Sequence, residues 1–394
     1  MKSREAELTL EWEATIAEVV KTCIVLPEER RDSHESNLPE TAPRTILVCG
    51  AKGLGKSTFL RVLASKILSQ CAQCNVSYLD TDVGQCEFTP PGLISLHELK
   101  ESESVFSDGD TATTAELSGY HEPLESRFLG DTTPKVHPTI YVDKVKELIS
   151  FHEKRETNQP LLVNTHGWVV GMGADLVKSI VEICKPDAIV HLVRDGQPDE
   201  MYFDVIKNRK EFRIFPGTDN ANPESPDMLR YHRLCRYFLR KTENVNKLTF
   251  GNWLANTSPY CIRSDMLTLV DVTENKLSAR NPEIMVAFNG AVVGLISSAK
   301  SDRCLGLGIV RSIGYSENES GWVIFLLTSE PYERLEQVDK LVLGTQRLPL
   351  DLAYANHPIQ DRTPFIFNAA FEMVGIDKSR NSNRRNLKRM RLRN

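Results

Sequence analysis

Two spacings of apolar residues alternate along this chain. Thr45-Ile46-Leu47-Val48-Cys49 is a continuous apolar run, the pattern of a strand covered on both faces. Phe59, Leu60, Leu63, Ala64, Ile67 and Leu68 then recur at helical intervals. The alternation repeats: Val76–Asp80, Leu161–Asn164 and Ala188–Val193 read as strands, while Ile140, Val145, Leu148, Ile149 and the stretch Ala174–Cys184 mark helices. Ahead of them, Ala6–Leu26 reads as one amphipathic helix. Strands and helices in turn predict an α/β architecture with a doubly wound parallel sheet. From about residue 266 the helical spacing gives way. Ile284–Ile296 predicts a hairpin around an Asn289-Gly290 turn, and Leu305–Val310, Trp322–Leu327 and Leu341–Leu343 add strands, so a smaller β-rich C-terminal domain is expected.

Length agrees with two domains: 394 residues with 41% hydrophobic content can fill more than one core. Forty-eight basic against 53 acidic residues give −5, which as a single number argues against a nucleic-acid partner. The charge is segregated, however. Residues 1–43 hold ten acids and five bases, 98–131 hold nine acids and two bases, and 378–394 hold eight bases and no acid. The stretch 98–131 is expected to be a solvated insertion. No run approaches about 18 uninterrupted apolar residues and the first thirty positions are charged throughout, so no membrane span or secretory signal is expected in a soluble, intracellular chain. Nine scattered cysteines fit a reducing compartment. Cys71 and Cys74 have C-x-x-C spacing, but no second pair follows, and they read as reduced thiols.

The chemistry starts at the end of the first strand. Gly50-Ala51-Lys52-Gly53-Leu54-Gly55-Lys56-Ser57 sits between a buried strand and a helix, the context that makes G-x-x-x-x-G-K-S a phosphate-binding loop. Its glycines let successive N–H groups turn toward phosphate oxygens. Lys56 is expected at the β- and γ-phosphates of ATP, Ser57 on Mg²⁺ and Thr58 at the α-phosphate, with the helix N-terminus adding partial positive charge. Asp82, just past the second strand, stands where a carboxylate orients the metal or accepts the proton of an attacking hydroxyl, with Asp80 in reserve. Trp168 follows the third strand and offers either a stacking face for a base, worth ~1–3 kcal/mol, or a packing ring. Arginines 230, 233, 236 and 240 share a helix face that either closes over phosphates or is simply solvated.

The ordered set is more specific than its parts. The loop at 50–57, Asp82-Val83-Gly84-Gln85 leading to Pro91-Gly92, Thr133-Pro134-Lys135, Thr165-His166-Gly167-Trp168 and Arg236-x-x-x-Arg240 together resemble the polynucleotide 5′-hydroxyl kinase family of eukaryotic RNA processing, and within it the fungal nucleolar branch of pre-ribosomal RNA maturation. The resemblance runs from about residue 44 to 376. It implies that Lys56, Ser57 and Thr58 bind ATP and Mg²⁺ and that Asp82 activates an RNA 5′-hydroxyl, with Gln85 near metal or substrate. It further implies that Thr165, Gly167 and Trp168 form a clasp on the terminal nucleotide, and that Thr133 and Lys135 line the RNA path. Arg236 and Arg240 match the lid pair, with Arg230 and Arg233 leaving its register open. Implied too are an endoribonuclease partner and a nuclear, nucleolar location, which the basic tail suits. The resemblance also implies a β-rich domain before the loop, as members usually carry; 49 residues precede Gly50, so that domain is expected to be truncated or absent. The expected organisation is an acidic extension at 1–43, a P-loop kinase domain at 44–265, a β-rich domain at 266–376 and a basic tail at 377–394.

Two other functions compete. One is a catalytically weak scaffold subunit of an rRNA-processing nuclease complex. The other is a GTPase or partitioning-type ATPase, since Lys52 lies inside the loop. Against the latter, Asp82-Val83-Gly84-Gln85 is one residue shorter than a D-x-x-G-Q switch, and Cys184-Lys185-Pro186-Asp187 lacks the Asn of N-K-x-D.

Overall fold

A computed structural model describes residues 9–23, 44–70, 75–100, 120–196, 199–201, 210–216, 225–241, 250–278, 280–316 and 321–347. Cys71, Cys74, the centre of the acidic stretch and the basic tail lie outside the described residues. The chain divides into two compact units, Met1–Tyr237 and Phe238–Asn394.

The first unit contains α1 (Leu10–Cys23), β1 (Thr45–Gly50), α2 (Lys56–Gln70), β2 (Val76–Asp80), β3 (Leu93–Leu99), β4 (Glu125–Phe128), α3 (Pro138–Lys154), β5 (Leu161–Asn164), α4 (Met172–Cys184), β6 (Ala188–Leu192), β7 (Lys210–Ile214) and most of α5 (Pro226–Leu239). Its seven-stranded sheet has the order β4-β3-β2-β5-β1-β6-β7. From β2 to β7 the pairings are parallel. Side chains alternate between the faces of a strand, so the apolar runs split in two. Leu47, Cys49, Leu79, Val163 and Ile189 pack under α3 and α4. Ile46, Val48, Tyr78, Leu162 and Val190 pack under α1 and α2. Helices on both faces are why β1, β2, β5 and β6 are predominantly apolar.

Helix α1 closes the second face over the phosphate-binding loop. The Trp12 ring meets Phe59 edge-on at 5.3 Å, and its Nε1 donates to the Phe215 carbonyl at 2.7 Å.

Two expectations are corrected here. Both margins of the supposed solvated insertion are strand: β3 pairs antiparallel with β2, and β4 antiparallel with β3, extending the parallel sheet. At the described margin on β4 the charges are satisfied by protein partners. Glu125 and Arg127 are buried and pair with each other, and Arg127 Nε also reaches Glu147 at 2.6 Å. His97 and His121 face each other through their Nδ1 atoms at 3.1 Å.

The second unit has α6 (Phe250–Asn256), β8 (Tyr260–Arg263), β9 (Thr268–Asp271), α7 (Pro282–Phe288), β10 (Ala291–Ser297), β11 (Arg303–Ser316), β12 (Gly321–Leu327), α8 (Tyr332–Leu335) and β13 (Lys340–Arg347). They form a six-stranded sheet, β8-β12-β11-β10-β13-β9, around a core that includes Phe288, Val293, Val310, Ile324 and Leu341. The second correction falls here: Ile284–Phe288 is helix, not the first strand of a hairpin. Asn281 Oδ1 accepts the Glu283 N–H at 2.9 Å and Pro282 opens the first turn, so start signals of a helix outweigh the apolar run. The hairpin that does form joins β10 to β11.

Among the described residues, no helix is long and apolar enough to cross a membrane.

Candidate active site

The site assembles at the carboxyl ends of β1, β2 and β5, in the first unit, where open α/β sheets bind ligands. Gly50, Gly53 and Gly55 all take positive φ, and Lys56, Ser57 and Thr58 form the first turn of α2. Lys56 is buried and its Nζ donates to the carbonyls of Gly50 at 3.0 Å and Ala51 at 3.2 Å. Burial lowers its proton affinity and the Asp82 charge opposes that. Ser57 and Thr58 are half-buried, whereas Lys52 is exposed.

The two aspartates at the end of β2 have separate tasks. Asp80 is 1% exposed and accepts three hydrogen bonds, from Asp82 N at 3.1 Å, Asn164 Nδ2 at 3.0 Å and Glu87 N at 2.5 Å. Burial pushes its pKa up to about 7. Its carboxylate is the brace of the turn that follows. Asp82, half-buried, accepts the N–H groups of Gly84 at 3.0 Å and Gln85 at 3.1 Å on Oδ1. Among the described residues its Oδ2 has no partner, which leaves an acceptor for a proton or a metal-bound water.

Neighbouring segments close on this turn. A Cβ at Gly84 would stand 2.6 Å from the Thr132 carbonyl oxygen, so only glycine admits the Asp131–Lys135 loop. In that loop Thr133 is half-buried and Lys135 is exposed. Thr165 is fully buried and its Oγ1 donates to the Val48 carbonyl at 3.0 Å, pinning the segment after β5 to β1. Gly167 lies against the phosphate loop, where an added Cβ would meet Lys52 Cα at 2.7 Å. Trp168 is half-buried, its indole laid on Gly173 at the start of α4.

The arginines divide. Arg230 Nε donates to the Gly84 carbonyl at 3.0 Å and Arg233 to the Glu87 carbonyl, so α5 is docked on the segment after Asp82 through these two. Arg236 joins Arg233, Phe88, Thr89, Pro90 and Tyr120 along a small, partly open cleft. Arg240, in the second unit, is held by Glu330 at 2.5 Å. Sequence reasoning left His166 aside, although it lies inside the quoted clasp motif. It is 4% exposed and its Nδ1 accepts the Trp168 N–H at 3.3 Å.

These residues suit a magnesium nucleotide: glycines with positive φ beside a helix N-terminus, a buried lysine, a half-buried serine hydroxyl and an uncommitted carboxylate oxygen.

The profile of the family described as "mRNA cleavage and polyadenylation factor CLP1 P-loop" matches residues 50–240, and that described as "NOL9-like, C-terminal domain" matches 255–349. Among curated proteins, the chain is 29% identical to the polynucleotide 5′-hydroxyl-kinase NOL9 of Arabidopsis thaliana, over 82% of this chain and 91% of that one. It is 28% identical to human NOL9, covering 82% of this chain and 52% of the human protein. Against the polynucleotide 5′-hydroxyl-kinase GRC3 of Candida albicans it is 28% identical, over 57% of this chain and 33% of that one. The chain thus spans about half of the human relative and a third of the Candida one. A solved Clp1p–Pcf11p complex superposes with a TM-score of 0.58 at 15% identity, covering 85% of this chain and 79% of its counterpart, a likeness of fold.

Proposed function

Since the chain belongs to the polynucleotide 5′-hydroxyl-kinase family, we propose that it transfers the γ-phosphate of ATP to the 5′-hydroxyl end of RNA. The observation that carries this reading is the pairing of a loop-held cation, Lys56, with a carboxylate, Asp82, whose Oδ2 is uncommitted. Such a transfer needs little covalent work from the protein, and consists of placing the acceptor in line and neutralising charge.

In this reading the N–H groups of residues 50–58 cradle the phosphates. Lys56 exchanges its two loop carbonyls for phosphoryl oxygens, and its buried position strengthens that attraction. Ser57 and Asp82 would hold Mg²⁺, which would supply charge neutralisation at the phosphates. Asp82 Oδ2 receives the proton of the attacking 5′-hydroxyl, while the N–H groups of Gly84 and Gln85 fix Oδ1. Trp168 bounds the acceptor on the side of β5, with the buried Thr165 holding its segment to β1; Gln85, Thr133 and Lys135 flank the strand's approach, and Arg236 adds positive charge along α5. Arg240 has a lid role only if it leaves Glu330.

The nucleolar branch is the setting we propose, with pre-rRNA spacer ends as substrate and an endoribonuclease as partner. The match of 255–349 to a NOL9-like C-terminal domain and the eight bases of 378–394 support it.

The deciding assay is transfer of labelled γ-phosphate to matched RNA and DNA oligonucleotides bearing 5′-hydroxyls. Wild type is expected to label RNA, and Lys56→Ala and Asp82→Asn to lose at least about 100-fold. Undiminished transfer by either variant refutes the assignment. A preference for guanine nucleotides, with hydrolysis indifferent to RNA ends, would favour the switch-type reading instead.

A further inference from the structure

One buried side chain beside the phosphate loop has no part in the mechanism above. His166 Nδ1 accepts the Trp168 backbone N–H at 3.3 Å, so the neutral ring carries its proton on Nε2. That Nε2 is buried and meets no hydrogen-bond partner among the described residues. Buried polar groups in folded proteins are nearly always paired, and an exception asks for a physical reason. Tyr141 packs on the ring with centroids 5.8 Å apart, but its hydroxyl is turned to the Thr81 carbonyl at 2.8 Å.

The charged groups that act on the imidazole are those of the site. Burial drives its pKa down to about 4, with Asp82 opposing and Lys56 reinforcing the shift. Near neutral pH the ring is therefore an uncharged N–H donor within electrostatic reach of both Lys56 and Asp82. Its place is fixed from two sides, by Thr165 on the Val48 carbonyl and by the close approach of Gly167 to Lys52.

Resting on the ATP-binding reading of the loop, we propose that His166 is a further phosphate-binding residue whose Nε2–H donates a hydrogen bond to an oxygen of the γ-phosphoryl group of ATP. An anionic oxygen supplies the acceptor that the described residues do not. The acceptor hydroxyl is the poorer partner, because donation to the nucleophilic oxygen would occupy the lone pair that attacks.

The test compares equilibrium affinities for Mg-ATP and Mg-ADP, without oligonucleotide, in wild type and in His166→Ala, His166→Gln and His166→Asn. A lost hydrogen bond to a charged group should weaken ATP about tenfold or more in His166→Ala and leave ADP within about twofold. The Gln side chain carries an amide N–H to the position of Nε2 and should restore most of the ATP preference. The Asn amide reaches only the Nδ1 position and should behave as Ala. Equal losses for ATP and ADP, no loss at all, or rescue by Asn and not by Gln would overturn the proposal, the last by showing that only the Trp168 contact matters. Should His166→Ala fail to fold, the Gln and Asn pair decides. Absence of phosphate transfer by wild type would refute the kinase reading, while the ATP-to-ADP ratio would still decide the role of His166.

Discussion

Gly167→Ala makes the sharpest demand on the geometry. The new Cβ would stand 2.7 Å from Lys52 Cα and 2.8 Å from Lys52 N, whereas carbon atoms rest at about 3.5–4.0 Å. Both obstacles are backbone atoms of the phosphate-binding loop and cannot rotate aside. Relief therefore requires the clasp segment and the loop to part by roughly 1 Å. The segment is anchored at Thr165 on β1 and at Trp168 against Gly173, so the displacement is carried largely by residues 51–53 or by the clasp turn itself. Overpacking of this kind costs about 1–3 kcal/mol of stability, and a misplacement near 1 Å at a reacting centre costs roughly 100-fold in rate. We expect Gly167→Ala to fold with a lowered Tm, to bind ATP more weakly and to lose about two orders of magnitude in kcat/KM for γ-phosphate transfer. A Gly167→Ala protein with wild-type ATP affinity and kcat/KM would refute the claim that this contact sets the loop.

Other perturbations separate structural from chemical roles. His97 is buried and its pKa lies well below the usual histidine value, first from burial and then from His121. The folded state thus binds fewer protons than the unfolded chain below about pH 6.5, so stability is present above that value and is lost as pH falls, by up to about 1.4 kcal/mol per pH unit for one proton. In His97→Gln, unfolding curves between pH 7 and 5 should show a slope shallower by about one proton; an unchanged slope would sink this account. Trp12→Ala should cost ~3–5 kcal/mol in chemical denaturation and weaken ATP, since the ring edge lies against Gly55, whereas Trp12→Phe should keep most of both. Loss of stability without any change in ATP affinity would limit Trp12 to packing. Arg240→Met leaves Glu330 to Arg334 and should lower stability by about 1–3 kcal/mol with little effect on ATP affinity. A selective loss of phosphate transfer at unchanged Tm would instead make Arg240 a lid residue.

The phosphate loop, the strands around it and the helix after it were legible in the chain because each depends on local signals. A continuous apolar run, glycines ahead of Lys-Ser and a carboxylate at a strand end are all neighbours in sequence. The hairpin expected at Ile284–Ile296 failed because an apolar run does not distinguish strand from helix, and the Asn281-Pro282 start carried the decision. The margins of the acidic stretch misled for a different reason. Charge counted along the chain says nothing of partners, and Arg127 finds Glu147 on another element, α3, which allows β4 to be buried.

Chain order thus places the candidate loop residues and the carboxylates after β2 as local motifs. Their assembly belongs to the tertiary structure: Gly84 against Thr132, Gly167 against Lys52 and Arg230 on the Gly84 carbonyl are contacts between segments 48 to 146 residues apart. The same holds for the division of labour between the two aspartates. Asp80 and Asp82 are chemically identical in sequence, and only the donors converging from Asn164 and Glu87 bury one as a brace and leave the other an open oxygen. Burial and distance are properties of the folded chain, and those two quantities turn a carboxylate or an imidazole into a working group.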